Sequence, residues 1–160
     1  MTSATIASSE RRLIFGLGAT GQSVARWWRQ QGLAFAALDT RAERADDAAA
    51  LADIDRDSAA FGDVDAAFVD HCTEMIVSPG VALDHPLIER AREQGCRVRG
   101  DIDLFMEAAQ APVVGITGSN GKSTVTSILG AMIAACGVKV AVGGNLGRPA
   151  LDLLADEPDL

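Results

Sequence analysis

The sequence predicts an α/β protein built on parallel sheets, and three observations predict it. Short β-branched or apolar runs alternate with helical stretches, an order that yields parallel strands joined by right-handed crossovers. Gly16-Leu17-Gly18-Ala19-Thr20-Gly21 matches G-x-G-x-x-G directly after one such run and directly before a helical stretch. Thr117-Gly118-Ser119-Asn120-Gly121-Lys122-Ser123-Thr124 stands in the same position after a later run. A chain of 160 residues has room for one full domain and part of a second.

The elements follow in order. The polar opening MTSATIASSE is expected to fray. Leu13-Ile14-Phe15 is a buried strand between Arg11-Arg12 and a glycine turn. Gln22 to Gln31 holds no breaker and stops at Gly32, as a helix does. Phe35 to Leu38 is a second strand closing at Asp39, and the Ala- and Asp-rich segment Ala42 to Ala60 is expected to be solvated helix and loop. Met75-Ile76-Val77 is a third strand, ended by Ser78-Pro79-Gly80. Pro86 opens a helix where its missing N–H costs nothing, Gly95 closes it, and Arg97-Val98-Arg99 is a short strand. Residues 101–110 are expected to be helical, and Ala111-Pro112 is the boundary candidate. Beyond it come a strand at Val113 to Ile116, a helix from Lys122 to Cys136 and a strand at Val138 to Val142 leading into Gly143-Gly144-Asn145.

Composition narrows the function. Fourteen Lys and Arg against 22 Asp and Glu leave a net charge of -8, which argues against a nucleic-acid binder that must replace counterions on phosphates. There is no Tyr and little other aromatic side chain to stack single-stranded bases. Cys72, Cys96 and Cys136 are scattered without metal-ligand spacing, which fits small core side chains in a reducing compartment. The N-terminus has no basic segment followed by an apolar one, and the most apolar run, Ile128 to Cys136, falls short of the roughly 20 residues that span a bilayer. The expectation is a cytoplasmic protein with no membrane contact. Trp27 and Trp28 point about 100° apart on a helix, so one is expected in the core and the other part-exposed. His71 and His85 are expected to be structural or surface residues, with His85 at a helix start.

In parallel sheets, ligands sit beyond the carboxyl ends of the strands. Segments 16–21, 39–41, 78–80, 117–124 and 143–145 lie there, and all are rich in Gly, Ser, Thr, Asn or Asp. In the first loop, glycine lets the backbone approach an anion, and the following helix offers N–H groups and a positive dipole end. Asp39 falls where an acidic residue meets a nucleotide sugar. The loop alone leaves three alternatives open: a dinucleotide such as NAD, another diphosphate ligand, or a tight turn with no ligand. In the second loop, Lys122 supplies a cation to triphosphate oxygens and Ser123 a hydroxyl to Mg²⁺. The usual spelling is G-x-x-x-x-G-K-[ST]. Here Ile116 holds the first glycine's place and Gly118 lies inside the loop, so the cradle is built differently. Two such cradles in tandem suggest ATP driving chemistry on a nucleotide-linked substrate, with both facing one cleft. The fold expectation is therefore a Rossmann-like domain at residues 1–110, then the start of a P-loop-type ATP-binding α/β domain at 111–160.

The sequence resembles the Mur ligases of peptidoglycan synthesis. The stretches that carry this are GLGATGQS, DTR at Asp39 to Arg41, SPGVALDHP, GDIDLF, APVVGITGSNGKSTVT and VGGNLGRPAL, in order across nearly the whole chain. The second loop alone would also suit a folate-polyglutamate-type ligase, and the first loop with DTR narrows it.

The resemblance implies a UDP-linked substrate in the first domain, UDP-N-acetylmuramoyl-L-alanine, and D-glutamate as the incoming amine. Ala19 and Thr20 would hold the diphosphate, Asp39 and Thr40 the uracil edge, and Arg41 the uracil face. Gly80 would approach the ribose, and Asn145 would reach the diphosphate. Gly118, Ser119, Asn120, Gly121, Lys122, Ser123 and Thr124 would hold ATP, with Lys122 catalytic and Ser123 on the metal. An acyl phosphate would form on the substrate carboxylate, and a monomer is expected. The family's metal-binding glutamate, modified lysine and C-terminal domain have no counterpart in these 160 residues, so the chain alone is expected to be inactive. An NAD(P)-binding module and a P-loop ATPase or scaffold are the rival classes. The first rests on the first loop and Asp39, and the second leaves DTR and SPG without a purpose.

Overall fold

A computed structural model describes residues 10–47, 51–145 and 147–154. Most of the polar opening, residues 48–50 of the Ala- and Asp-rich segment and Leu146 of the last glycine-rich stretch lie outside the described residues. The chain divides into two compact units, Met1–Gly100 and Asp101–Leu160.

In the first unit, β1 (Arg12–Phe15), β2 (Phe35–Asp39), β3 (Ala59–Phe61), β4 (Glu74–Val77) and β5 (Arg97–Arg99) form one sheet in the order β3-β2-β1-β4-β5. All four pairings are parallel. Phe15 stands opposite both Leu38 and Val77, so the three central strands finish level. α1 (Ala19–Gln30) joins β1 to β2, and α2 (Pro86–Glu93) joins β4 to β5. Leu13, Ile14 and Phe15 are fully buried, as a strand covered on both faces must be. Leu13 and Phe15 join Leu38, Met75, Val77, Leu87 and Ile88 in one cluster beneath α2, while Ile14 faces Gly21 of α1. Each such side chain contributes about 1.5–3 kcal/mol by leaving water.

Local chemistry sets the helix ends. α1 begins at Ala19, three residues ahead of the expected start, because the glycine loop itself turns into the helix. Pro86 opens α2, and His85 caps it by accepting from Leu87 N–H at 3.2 Å on Nδ1, with its ring edge-on to Phe15. Trp28 is buried against Phe35, and Trp27 is half-buried.

β3 departs from the expectation of helix and loop over Ala42 to Ala60. That segment holds two short 3-10 turns, Ala42–Asp46 and Arg56–Ser58, and then the strand. Ala59-Ala60-Phe61 contains no β-branched residue; it is extended because Ala37, Leu38 and Asp39 present it with an open sheet edge.

The second unit contains α3 (Asp101–Ala108), α4 (Lys122–Ala135) and α5 (Ala150–Leu154), with α3 packed on α5. The expected strands at Val113 to Ile116 and Val138 to Val142 are not formed among the described residues. A parallel strand exists through its ladder, and this unit supplies neither run with a hydrogen-bonded neighbour. Val114 is 65% exposed and Val138 56%, and α4 exposes Val125, Ile128 and Met132. Cys136, expected in a core, is exposed for the same reason. Val142 lies on Gly130, so closely that a Cβ there would meet its Cγ2 at 2.6 Å.

With so much apolar surface uncovered, limited proteolysis is expected to cut first between residues 111 and 145, leaving a resistant piece covering residues 10–100. Uniform resistance would contradict this. Among the described residues, no helix is long and apolar enough to cross a membrane.

Candidate functional site

The chain runs from β1 outward to β2 and β3, then returns to β4 and β5 on the other side, so strand order reverses between β1 and β4. A crevice opens beyond their carboxyl ends at such a reversal. Gly16 follows β1 and Ser78 follows β4. Gly16 N–H donates to Leu38 O at 2.8 Å, Ser78 N–H to Phe15 O at 2.9 Å, and the Ser78 hydroxyl to Gly16 O at 2.6 Å.

The three glycines have three separate reasons. Gly16 has φ +94°, and a Cβ there would stand 2.9 Å from both Ser78 Cβ and Val81 Cγ2. Gly21 lies so near the turn that a Cβ would meet Gly16 O at 1.9 Å. Gly18 faces open space. So Gly16 allows the turn, Gly21 the packing of helix on strand, and Gly18 the approach of something from outside. Gly18 is also the N-cap of α1, whose first turn carries no acidic residue. The N–H groups of Ala19 and Thr20 are in that turn, where no intrahelical acceptor exists, at the positive end of the dipole. This arrangement suits a diphosphate.

Asp39, at the end of β2, is 2% exposed. Its Oδ2 accepts from Leu17 N–H at 2.7 Å and Arg41 Nη2 at 2.7 Å. Its Oδ1 accepts from the backbone N–H and Nε of Arg41, each at 2.9 Å. Four donors use the whole capacity of a carboxylate. Burial pushes the Asp39 carboxyl up, but the hydrogen bonds from Arg41 and Leu17 outweigh it and hold the group below its ordinary value. The Arg41 guanidinium is raised mainly by the hydrogen bond to Asp39, and its side chain is 47% exposed. Thr40 and Gly80 are exposed. Ala19, Thr20, Asp39, Thr40, Arg41 and Gly80 thus all lie at the carboxyl end of the first unit's sheet.

The second unit carries the other cradle. Gly121 is the N-cap of α4 with φ +75°, a left-handed turn that favours glycine. Lys122 folds back so that Nζ donates to Gly118 O, and Thr126 Oγ1 donates to Lys122 O at 2.8 Å. Gly118, Ser119, Asn120, Gly121, Ser123 and Thr124 are exposed around the first turn of a 14-residue helix with no acid in it. A lysine whose acceptor is a single loop carbonyl, beside uncapped helix N–H groups, fits polyphosphate oxygens. Asn145 is exposed in a bend of the same unit. Among the described residues, no group of three or more His, Cys, Asp or Glu is placed to hold a metal.

The sequence reading gave no role to Leu17 or Ser78. Leu17 acts through its backbone, which no side-chain pattern reveals. Ser78 stands in the flagged segment 78–80, and its position directly after a central strand was the available signal.

A parallel 3-2-1-4-5 sheet with a glycine cradle at its reversal defines a nucleotide-binding type of α/β domain. The chain belongs to the MurD-like Mur ligases: residues 10–100 match the family model described as "Mur ligase MurD-like, N-terminal domain". It is 47% identical over 155 residues to the UDP-N-acetylmuramoylalanine--D-glutamate ligase of Pseudomonas aeruginosa, covering 97% of this chain and 35% of that protein. The ligase of the same name from Marinobacter nauticus is 46% identical with the same coverage. The chain therefore spans about 35% of the length of these curated relatives. Among solved structures, a pseudomurein peptide ligase type C from Methanothermus fervidus aligns with TM-score 0.49 and 21% identity over 80% of this chain and 26% of its own.

Proposed function

We propose that this chain is the nucleotide-gripping part of an ATP-dependent ligase that joins D-glutamate to UDP-N-acetylmuramoyl-L-alanine in cytoplasmic peptidoglycan precursor synthesis. The observation that carries the choice of UDP over NAD(P) is the saturated Asp39 carboxylate. An NAD site needs the acid at the end of the second strand to accept from ribose hydroxyls. Here that acid is already filled by Leu17 and Arg41, and what the site offers outward is the Arg41 guanidinium.

In this reading, Ala19 and Thr20 hold the diphosphate, and Thr40 and Arg41 take the uracil edge and face. Asp39, expected on the uracil edge, instead sets the angle of Arg41 because both its oxygens are already taken, and Gly80 lets the ribose approach. Residues 111–160 are the start of the ATP-binding domain, with Lys122 and the Gly118 to Thr124 loop on the phosphates, Ser123 on Mg²⁺ and Asn145 on the diphosphate. The substrate carboxylate takes the terminal phosphoryl group, because oxide is no leaving group and phosphate is. The D-glutamate amine then attacks that carbonyl, and phosphate departs. Lys122 and the α4 N-terminus offset the repulsion between two polyanions. The protein is a monomer.

Calorimetric titration tests this. UDP-N-acetylmuramoyl-L-alanine is expected to bind the chain and NADH is not. Arg41→Ala should weaken the UDP ligand about tenfold, the loss of one cation–π contact on the uracil face. Tight NADH binding without UDP-sugar binding would overturn the reading. The chain by itself is expected to release no ADP from ATP and D-glutamate.

A further inference from the structure

Cys72 and Cys96 lie at the opposite end of the sheet from the ligand mouth. Cys72 stands two residues before β4 and Cys96 one residue before β5. Register pairs Glu74 with Arg97, and Arg97 N–H donates to Thr73 O at 3.0 Å, which ties these two lead-in segments together. The two sulfurs are 2.6 Å apart, inside van der Waals contact and short of a covalent bond, and both residues pack in the cluster with Met75, Ile88 and Ala91. Cys72 is 4% exposed and Cys96 5%, whereas Cys136 is exposed in the other unit.

Two buried thiols in direct contact differ from two cysteines that merely fill space. We propose that Cys72 and Cys96 are a dithiol site that a small peroxide converts to an intramolecular disulfide, stapling the amino ends of β4 and β5. In the first step a thiolate sulfur attacks a peroxide oxygen. The O–O bond breaks, the sulfur becomes a sulfenic acid, and the leaving oxygen takes a proton to depart as water. In the second step the neighbouring sulfur attacks the sulfenic sulfur. The S–O bond breaks, the second thiol's proton leaves with that oxygen as another water, and the S–S bond forms. Two thiols are oxidised by two electrons, and one hydrogen peroxide is reduced to two waters. Either sulfur can be the first nucleophile, because its partner stands directly against it to complete the second step. Contact between the sulfurs traps the sulfenic acid before further oxidation. The staple lies away from Gly16 and Ser78, so it acts on the stability of the first unit and leaves its ligand end unchanged.

The test is peptide mapping of the intact chain, without reductant, after graded hydrogen peroxide. A Cys72–Cys96 cross-linked peptide is expected, about 2 Da lighter than its two parts and released by dithiothreitol. Thermal unfolding of the oxidised chain should move upward and return on reduction, a shift absent in Cys72→Ser and Cys96→Ser. The idea is overturned if doses that fully oxidise Cys136 leave Cys72 and Cys96 as free thiols. Separate sulfinic acids, or cross-links made only through Cys136, would overturn it too. Mapping of the unsubstituted chain decides the matter even if both serine variants fold poorly.

Discussion

Gly21→Ala is expected to remove most of the stability of the first unit, lowering it by roughly 3–5 kcal/mol. The added methyl would sit 1.9 Å from Gly16 O, and that oxygen has nowhere to go. It accepts the Ser78 hydroxyl at 2.6 Å, and its own residue's N–H is fixed on Leu38 O at 2.8 Å. Relieving the clash means lifting α1 off β1 or breaking the joint between β1 and β4, and Ile14 and Trp28 lose cover in the first case. Gly18→Ala is the control. It has the same chemistry in the same loop, at φ -73° with nothing within 4 Å, and should cost no more than about 1 kcal/mol through a poorer helix cap. Urea unfolding of both variants against the parent chain measures the difference. Equal midpoints for the two would show that the loop is softer than its hydrogen bonds imply.

How much of this was legible in the sequence differs by element, for physical reasons. β1 and β4 announce themselves because a central parallel strand is buried on both faces and must be apolar at every position, as Leu13-Ile14-Phe15 and Met75-Ile76-Val77 are. β3 is an edge strand of two alanines and a phenylalanine, and its conformation comes from the neighbour it pairs with. The runs around Val114 and Val140 show the converse. Their composition is that of strands, yet without a ladder they stay irregular and exposed.

The site divides in the same way. Both glycine loops could be found because glycine is required there by backbone geometry, which sequence records directly. The partnership of Asp39 with Arg41 was half visible, since residues two apart at a strand end point to the same side. The third partner, Leu17 N–H, lies 22 positions away and is invisible until the sheet is assembled. The contact of Cys72 with Cys96 likewise depends on the register of β4 against β5.

The three-way joint at Asp39 gives the second large effect. Asp39→Asn keeps one acceptor oxygen and turns the other into an amide that faces donors. Whichever way the amide turns, its NH2 faces either the buried Leu17 N–H or the backbone N–H of Arg41, and that donor loses its partner. That loss costs about 2 kcal/mol. The ionic bond to Arg41 adds little to this, because a guanidinium 47% exposed is screened by solvent. Acid should reveal the same joint in the parent chain. The folded Asp39 titrates below its ordinary value of 3.8, so the stability it contributes is fully present above that value. It is lost as pH falls below 3.8 and through the folded-state value. Asp70 is also held far down, by Arg90 and Gln94, but it is unchanged in the variant and cancels from the comparison. Urea midpoints taken from pH 6 down to pH 3 should therefore draw together, with Asp39→Asn well below the parent at the top of the range and the gap narrowing once the pH falls below 3.8. A constant gap across that range would mean that the carboxylate's charge does not hold the glycine loop to the end of β2.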